Sequence, residues 1–305
     1  MVLKFVRTVF LCAGIYALLA SVAIWIYPPA AALLSMRMAI RSPYCTRWSA
    51  FRDGAIKVKR LEIAGEIEAR SHVVTRDSGL ELWSTPLGKF WTPARGGHIL
   101  SVMLGQMTTG IYRYGDLVMH GDVVIDCGAF VGTMVRQALN HGAQKVVAVE
   151  PTPASVECLR RNFVQEIASG RVIICPKGIW DADTVLTLYE NGNEGAANSF
   201  NGYRDNPTGI QIPVTTIDRL AEELKLERVN VIKADVKGAT ERMLAGGYNT
   251  IRRDHPRLAL ATEENTEQPD SIARLVAGRF RGYRMECGPC LPDGHDIRTD
   301  ALFFR

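Results

Sequence analysis

Two short stretches carry residue types and spacings suited to holding a nucleoside-like ligand. The first is Asp126-Cys127-Gly128-Ala129-Phe130-Val131-Gly132. It follows the apolar run Val123-Val124-Ile125 and precedes a segment, 131–141, with helical spacing. A glycine at 128 lets backbone approach a ligand closely, and one at 132 permits a tight entry into the helix. A helix beginning there has backbone N–H groups with no partner inside the helix. The second stretch is Glu150-Pro151, at the end of the apolar run Lys145–Val149. A carboxylate at the end of a second strand can accept hydrogen bonds from both hydroxyls of a ribose. The plain alternative is that the glycines and Asp126 only shape a strand–helix turn.

The spacing bears on the ligand. Dinucleotide pockets follow G-x-G-x-x-G, with the pyrophosphate on the helix N-terminus. Here the glycines are spaced G-x-x-x-G, and Asp126 stands two residues before the first. An acid is badly placed beside a pyrophosphate. It suits an amine, such as the methionyl end of S-adenosylmethionine. Ala129 and Pro151 complete this cofactor set, with Asp126, Gly128, Gly132 and Glu150. Methyl transfer from such a cofactor asks the protein to position two reactants and accept one proton. Asp235, at the end of the run Val229–Asp235, is the first candidate acceptor; Glu263 and Glu264, after Leu258–Thr262, are the next. Asp218 suits a helix cap better. Asn198-Ser199 lies in a Gly-rich stretch that would form a pocket rim.

These residues need a scaffold. Apolar runs at 123–126, 145–150, 171–175, 183–190, 210–217, 229–235, 258–262, 283–287 and 301–304 read as strands, with helical segments at 131–141, 153–168 and 218–226. Continuous apolar strands alternating with helices predict an α/β fold, a mostly parallel sheet covered on both faces. Such sheets bind ligands beyond the carboxyl ends of their strands. Upstream, 72–75 and 80–83 alternate like strands, and 99–115 holds a short helix.

In combination, VVIDCGAFVG, VVAVEP, IPVTTID and VIKADVKGAT resemble FkbM-type methyltransferases. The similarity covers about 120–305, and LWSTPLGKFWTP and GIYRYGDLVMHGD upstream are similar too. The resemblance implies a class I methyltransferase (Rossmann-like) fold, S-adenosylmethionine as cofactor, and O-methylation of a hydroxyl, often on a sugar or polyketide. One departure stands out. The family's Asp-x-Glu-Gly-x-Glu segment appears as Asp235-Val236-Lys237-Gly238-Ala239-Thr240, so Lys237 and Thr240 replace two acids. A catalytically silent homologue is therefore one alternative, and a nicotinamide-dependent oxidoreductase on a similar sheet another.

The chain has 305 residues and a net charge of +4. Residues 1–60 hold nine Lys and Arg against a single acid, Asp53, so the remainder is mildly acidic. That argues against a broad nucleic-acid surface. From Thr8 to Met36 there is no charge. The run predicts an N-terminal transmembrane helix, ended by Pro28-Pro29 and flanked by Trp25 and Tyr27. A cleaved signal peptide is the competing reading. The cations after the run favour a single-pass membrane protein with its catalytic domain in the cytoplasm. The resulting division is an anchor and basic flank at 1–41, a linker and small cap at 42–120, and the methyltransferase domain at 121–305. The expected acceptor is a small-molecule or lipid-linked saccharide.

Seven cysteines are too few for a disulfide framework. Cys287-Gly288-Pro289-Cys290 spells a redox dithiol, and with His295 and Asp300 it has zinc-knuckle spacing. The following Leu291-Pro292-Asp293-Gly294 reads instead as a turn between strands. No metal is assigned. Trp83 and Trp91 read as packing residues of the cap, with sugar stacking the alternative.

Overall fold

The computed structural model describes residues 14–19, 21–22, 39–40, 44–189, 198–200, 209–262, 269–293 and 296–305. Its upstream part holds β1 (Ala39–Ile40), helix α1 (Arg47–Ala69), the antiparallel meander β2 (His72–Asp77), β3 (Leu80–Thr85) and β4 (Gly88–Pro93), then α2 (Gly97–Thr108) and α3 (Tyr114–Leu117). Strands and helices then alternate: β5 (Val123–Cys127), α4 (Thr133–Asn140), β6 (Lys145–Val149), α5 (Pro153–Asn162), α6 (Val164–Ala168) and β7 (Val172–Cys175). Next come β8 (Gly178–Ile179), β9 (Thr184–Tyr189), β10 (Gly209–Thr215), α7 (Ile217–Glu223), β11 (Val231–Ala234), α8 (Thr240–Gly246), α9 (Tyr248–Asp254) and β12 (Arg257–Ala261). The remainder is α10 (Pro269–Arg279), β13 (Met285–Cys287), β14 (Cys290–Asp293), β15 (Asp296–Thr299) and β16 (Ala301–Phe304).

The central sheet has seven strands in the order β13-β16-β12-β11-β5-β6-β7. All pairs are parallel except those made by β16, which runs antiparallel to both its neighbours. The mostly parallel α/β sheet expected from the apolar runs is therefore present. The chain winds outward from β5 in one direction and resumes at β11 on its other side. That makes a topological switch point between β5 and β11, where a crevice opens at the strand ends. Both faces are covered. Ile125, Ile232 and Leu258 pack among helices on one face, and Val124, Val146 and Val231 on the other.

Two expectations need revision here. The runs at 183–190 and 210–217 form strands, but not in the central sheet. β10 pairs with β9 on one side and β8 on the other in a separate three-stranded sheet, because β10 meets the chain again at Gly178–Ile179. Residues 47–60 are not linker. They belong to α1, which a reciprocal cap starts: Ser49 N–H donates to Thr46 Oγ1 at 3.0 Å, and Thr46 N–H donates to Ser49 Oγ at 2.8 Å. Of the charges in this stretch, Arg47, Arg52 and Lys59 are exposed on the helix, whereas Asp53 and Arg60 are buried.

Among the described residues, no helix is long and apolar enough to cross a membrane. Of the uncharged run Thr8–Met36, residues 14–19 and 21–22 are described, as helix, and the rest lies outside the described residues. The expected transmembrane helix is thus not part of the described fold.

α1 is fastened at several points. A disulfide joins Cys45, just before it, to Cys290 on β14. Asp53 Oδ2 accepts the N–H of Cys290 at 3.0 Å. Arg60 pairs with Asp300 at 2.8 Å, both side chains buried. α2 lies close against α1: a Cβ on Gly105 would come within 2.9 Å of the Arg60 carbonyl oxygen. The meander docks on α5, where Asn162 accepts the Trp91 N–H at 2.7 Å and Arg161 stacks on the Trp91 ring at 4.6 Å. Trp91 thus packs as a structural residue, as does Trp83 against Gly97.

Burial pushes the Asp300 carboxyl up to about 6, although Arg60 opposes the rise. A carboxyl raised on folding stabilises the fold below its unfolded pKa, and that contribution is lost as pH rises through the folded value. Thermal melts should therefore show stability falling by about 2 kcal/mol between pH 4 and 7 from this group. In Asp300→Asn that segment of the pH dependence should vanish, even if the variant melts lower throughout.

Candidate functional site

Strand β5 ends in the turn that shapes the site. Gly128 has φ +77°, and a Cβ there would lie 2.1 Å from the backbone oxygen of Asp235. The position admits no side chain: a substituted residue would collide with the turn after β11. The loop is tied to the end of β6. Gly128 and Ala129 both donate their N–H to the Val149 carbonyl, at 2.9 and 3.1 Å. Phe130, itself at φ +50°, donates its N–H to Glu150 Oε2 at 2.9 Å. The N–H groups of Gly128, Ala129 and Phe130 are therefore spent inside the fold, and they hold the turn rigid.

Glu150 is buried at the end of β6. Its Oε1 accepts the Thr152 N–H at 2.9 Å. Burial pushes its carboxyl up, and the two backbone donors and Lys233 pull it back. A carboxylate has about four acceptor positions. Two backbone N–H bonds and a hydrogen bond from the Thr152 side chain still leave room for a hydroxyl donor from the cavity that Glu150 lines.

That cavity is at the switch point. Its floor is Gly128, Phe130, Val149–Thr152 and Asp235–Lys237. One wall comes from α2, through Ile99, Val102, Met103 and Gln106. Another comes from the small sheet and the segment Asn198–Phe200. Asn198 donates to Thr152 Oγ1 at 3.2 Å, and Ser199 to the Lys237 carbonyl at 2.9 Å. The rim expected from Asn198-Ser199 is at the cavity.

Beneath the floor runs a chain of alternating charges. β5 and β11 pair with Asp126 opposite Lys233. Alternation along each strand sends both side chains to the face shared by Val124 and Val231, away from the cavity. The Lys233 ammonium, 1% exposed, lies 3.0 Å from Asp126 Oδ1 and donates to the Gly128 carbonyl at 3.0 Å. It also sits 5.2 Å from the centre of the Tyr112 ring. The Tyr112 hydroxyl donates to Asp235 Oδ2 at 2.9 Å, and Lys237 pairs with Asp235 Oδ1 at 3.2 Å. Burial alone would raise Asp235, but Lys237, Lys233 and the Tyr112 hydroxyl outweigh it and hold the carboxyl at about 2. Asp126 goes the other way: its complete burial pushes it up against the pull of Lys233.

A model of the methyltransferase FkbM domain matches residues 126–285, more than half of the chain. The chain belongs to the FkbM methyltransferase family. Among solved structures, the FkbM methyltransferase of Methylobacillus flagellatus KT aligns at 15% identity and a TM-score of 0.46, over 83% of this chain and 60% of that one. A ribosomal protein L11 methylase of Lactobacillus delbrueckii subsp. bulgaricus aligns at 11% identity and 0.39, over 66% and 78%. An rRNA methylase of Streptococcus thermophilus aligns at 11% and 0.38, over 63% and 89%. This chain therefore spans about 60% of the length of the solved FkbM structure. No curated protein matches it.

Within this FkbM chain, the residues singled out from sequence separate into groups. Gly128, Glu150, Pro151 and Asp235 line one cavity. Asp126 does not: instead of facing a ligand amine it is sealed beneath the turn against Lys233, because the strand register puts the two opposite each other. Ala129 is buried in the core. Gly132 meets the core as well; a Cβ there would strike the Phe163 ring at 2.2 Å, so its role is packing. Glu263 and Glu264 lie outside the described residues. Asp218 is a cap, but of α9, accepting the Asn249 and Thr250 N–H groups, while Thr216 caps α7. Among the described residues no cluster of His, Cys, Asp and Glu suits a metal. Lys233, Tyr112 and the α2 wall were missed. Lys233 had left a signal: a charge inside the apolar run Val231-Ile232-Lys233-Ala234 needs a buried partner.

Removing that charge isolates Asp126. Lys233→Met should cost about 3–5 kcal/mol in urea unfolding. Adding Asp126→Asn should recover much of the loss, since the stranded carboxylate is then gone.

Proposed function

We propose that this chain transfers the methyl group of S-adenosylmethionine to a hydroxyl of a small acceptor, such as a saccharide, a lipid-linked saccharide or a natural product. The observation that carries the reading is Glu150: a buried carboxylate with acceptor capacity to spare, at the end of β6, beside a turn that admits no side chain at Gly128. This suits a ribose lying across the switch point. Membership of the FkbM family supports methyl transfer over the nicotinamide-dependent alternative.

S-adenosylmethionine, when bound, supplies a methyl group on a sulfonium that is already activated for displacement. The protein's tasks are positioning and proton management. Glu150 would hold the ribose hydroxyls, and Pro151 and Phe130 would flank the base. Asp235 reaches the same cavity as an ionised acceptor. At about 2 it is a weak base. Its role would be to orient the acceptor hydroxyl by a charge-assisted hydrogen bond and to take the proton only as the new bond forms. Ile99, Val102 and Met103 give the cavity an apolar wall for the body of the acceptor. The uncharged run Thr8–Met36 supports attachment at a membrane, where a lipid-linked acceptor would be concentrated.

A specific observation favours a second reading, a chain that binds the cofactor without turnover: the weak basicity of Asp235, joined to Lys237 and Thr240 in place of two acids. Calorimetric titration separates the possibilities. The full chain should bind S-adenosylmethionine and S-adenosylhomocysteine saturably, and Glu150→Ala should weaken both by at least about tenfold, as loss of charge-assisted hydrogen bonds implies. No binding by folded protein overturns the proposal. Binding without methylation of any hydroxylated acceptor selects the silent reading.

If Asp235 must be ionised to act, its pKa sets an acid limit on the rate. Lys237→Met removes the strongest opposing charge and leaves Lys233 and the Tyr112 hydroxyl to oppose the rise that burial imposes. The acid limb of the rate profile should move up from about 2 toward the ordinary carboxylate range, while the profile near pH 7 changes least.

A further inference from the structure

The outward face of α1 changes character along its length. Its first half presents Arg47, Trp48, Phe51, Arg52, Ala55 and Lys59, all exposed. At about 100° per residue these share one stripe about 140° wide. The second half presents Glu62 and Glu66 on the same stripe. From 47 to 60 the helix carries five cations and one acid, Asp53; from 61 to 69 it carries three acids and no cation.

Helix stability does not account for this order. Carboxylates favour the first turn of a helix and cations the last. α1 has no acid in its first turn and no base in its last. Core packing does not account for the aromatics either. The inward face buries Ala50, Ala64 and Ile67. Trp48 is 71% exposed, and its ring stacks on Phe51 at 5.8 Å. Among the described side chains after the uncharged run, these two are the only exposed Trp, Tyr or Phe. Arg52 is drawn onto Asp53 at 2.7 Å, while Arg47 and Lys59 have no acidic partner among the described residues.

We propose that this half-stripe is a membrane contact: Trp48 and Phe51 enter the headgroup layer of an anionic bilayer, and Arg47 and Lys59 meet its lipid phosphates. An indole, apolar in its body and polar at its N–H, suits that layer. Basic side chains near it are held by the negative surface potential. The chain keeps the surface within reach. Ten residues, 37–46, separate the uncharged run from α1, at most about 36 Å when fully extended. Two of them, Arg37 and Arg41, are cations as well. The contact rests on the membrane attachment proposed for Thr8–Met36, and not on what the cavity binds. The same surface repels Glu62 and Glu66, so the contact is confined to the first half. Arg60, whose carbonyl meets α2 at Gly105, lies about 18 Å along α1 from Trp48. A docked α1 therefore fixes the α2 wall of the cavity relative to the bilayer.

The test reads the emission of Trp48. The full chain is reconstituted with phosphatidylcholine vesicles, with or without phosphatidylglycerol, that carry nitroxide-labelled headgroups. The part of the tryptophan emission that Trp48→Phe removes should be quenched in the anionic vesicles, less in phosphatidylcholine alone, and should recover in high salt. Arg47→Gln with Lys59→Gln keeps all five tryptophans. It should lower the ratio of docked to free α1 about fivefold for each charge removed. Flotation in a density gradient separates the ways of failing. If the chain floats and the Trp48 emission is unquenched, or is quenched equally with and without phosphatidylglycerol, the α1 contact is overturned and the attachment stands. If the chain floats with neither lipid, attachment and contact fall together. Neither result bears on methyl transfer.

Discussion

One buried ammonium organises the site. Lys233 lies in the middle of a parallel sheet, with no access to water, and touches Asp126 and the Gly128 carbonyl at the same 3.0 Å. A charge in that position is tolerable only if it is paired and hydrogen-bonded. Asp126 provides the pair, and the turn provides the hydrogen bond. In return the turn is fixed from below. Its N–H groups are fixed from the side, by Val149 and Glu150. The same ammonium helps hold the Asp235 carboxyl low and opposes the rise that burial imposes on Glu150, so a residue that never reaches the cavity biases both carboxyls that face it toward the charged form.

The second constraint is the way the upstream helices are held. α2 forms a wall of the cavity, yet it belongs to the region before the sheet. It is backed by α1, which is bonded to the far end of the chain through Cys45–Cys290 and Arg60–Asp300. The wall of the site is therefore assembled from both ends of the molecule, and the sheet only supplies the floor. This division is physically sensible. The floor must match a cofactor and is built from rigid strand ends, whereas the wall is built from helices whose packing can shift.

Much of the floor was legible in the residues. The apolar runs ending in Asp126, Glu150 and Asp235 predicted three parallel strands with their carboxyl ends together, and those strands stand side by side as β6, β5 and β11. Glu150 and Gly128 follow from position alone, because the end of a strand at the switch point has few places to point. Asp126 was misjudged for a reason that spacing could not show. Its direction depends on strand alternation, and its partner lies on a strand more than a hundred residues later. Gly132 was misjudged likewise: the need for glycine comes from the Phe163 ring, which arrives with another helix.

Local pattern determined the alternation of strands and helices, the turn after β5 and the acid after β6, since each depends on neighbours a few residues apart. Tertiary structure alone decided the rest. The Tyr112–Asp235 hydrogen bond spans 123 positions, the Lys233–Gly128 bond 105 and the Cys45–Cys290 bond 245. Partners at such separations leave no periodicity to read. They are chosen by the register of β5 on β11 and by the packing of α1 on α2, which exist only once the chain has closed on itself.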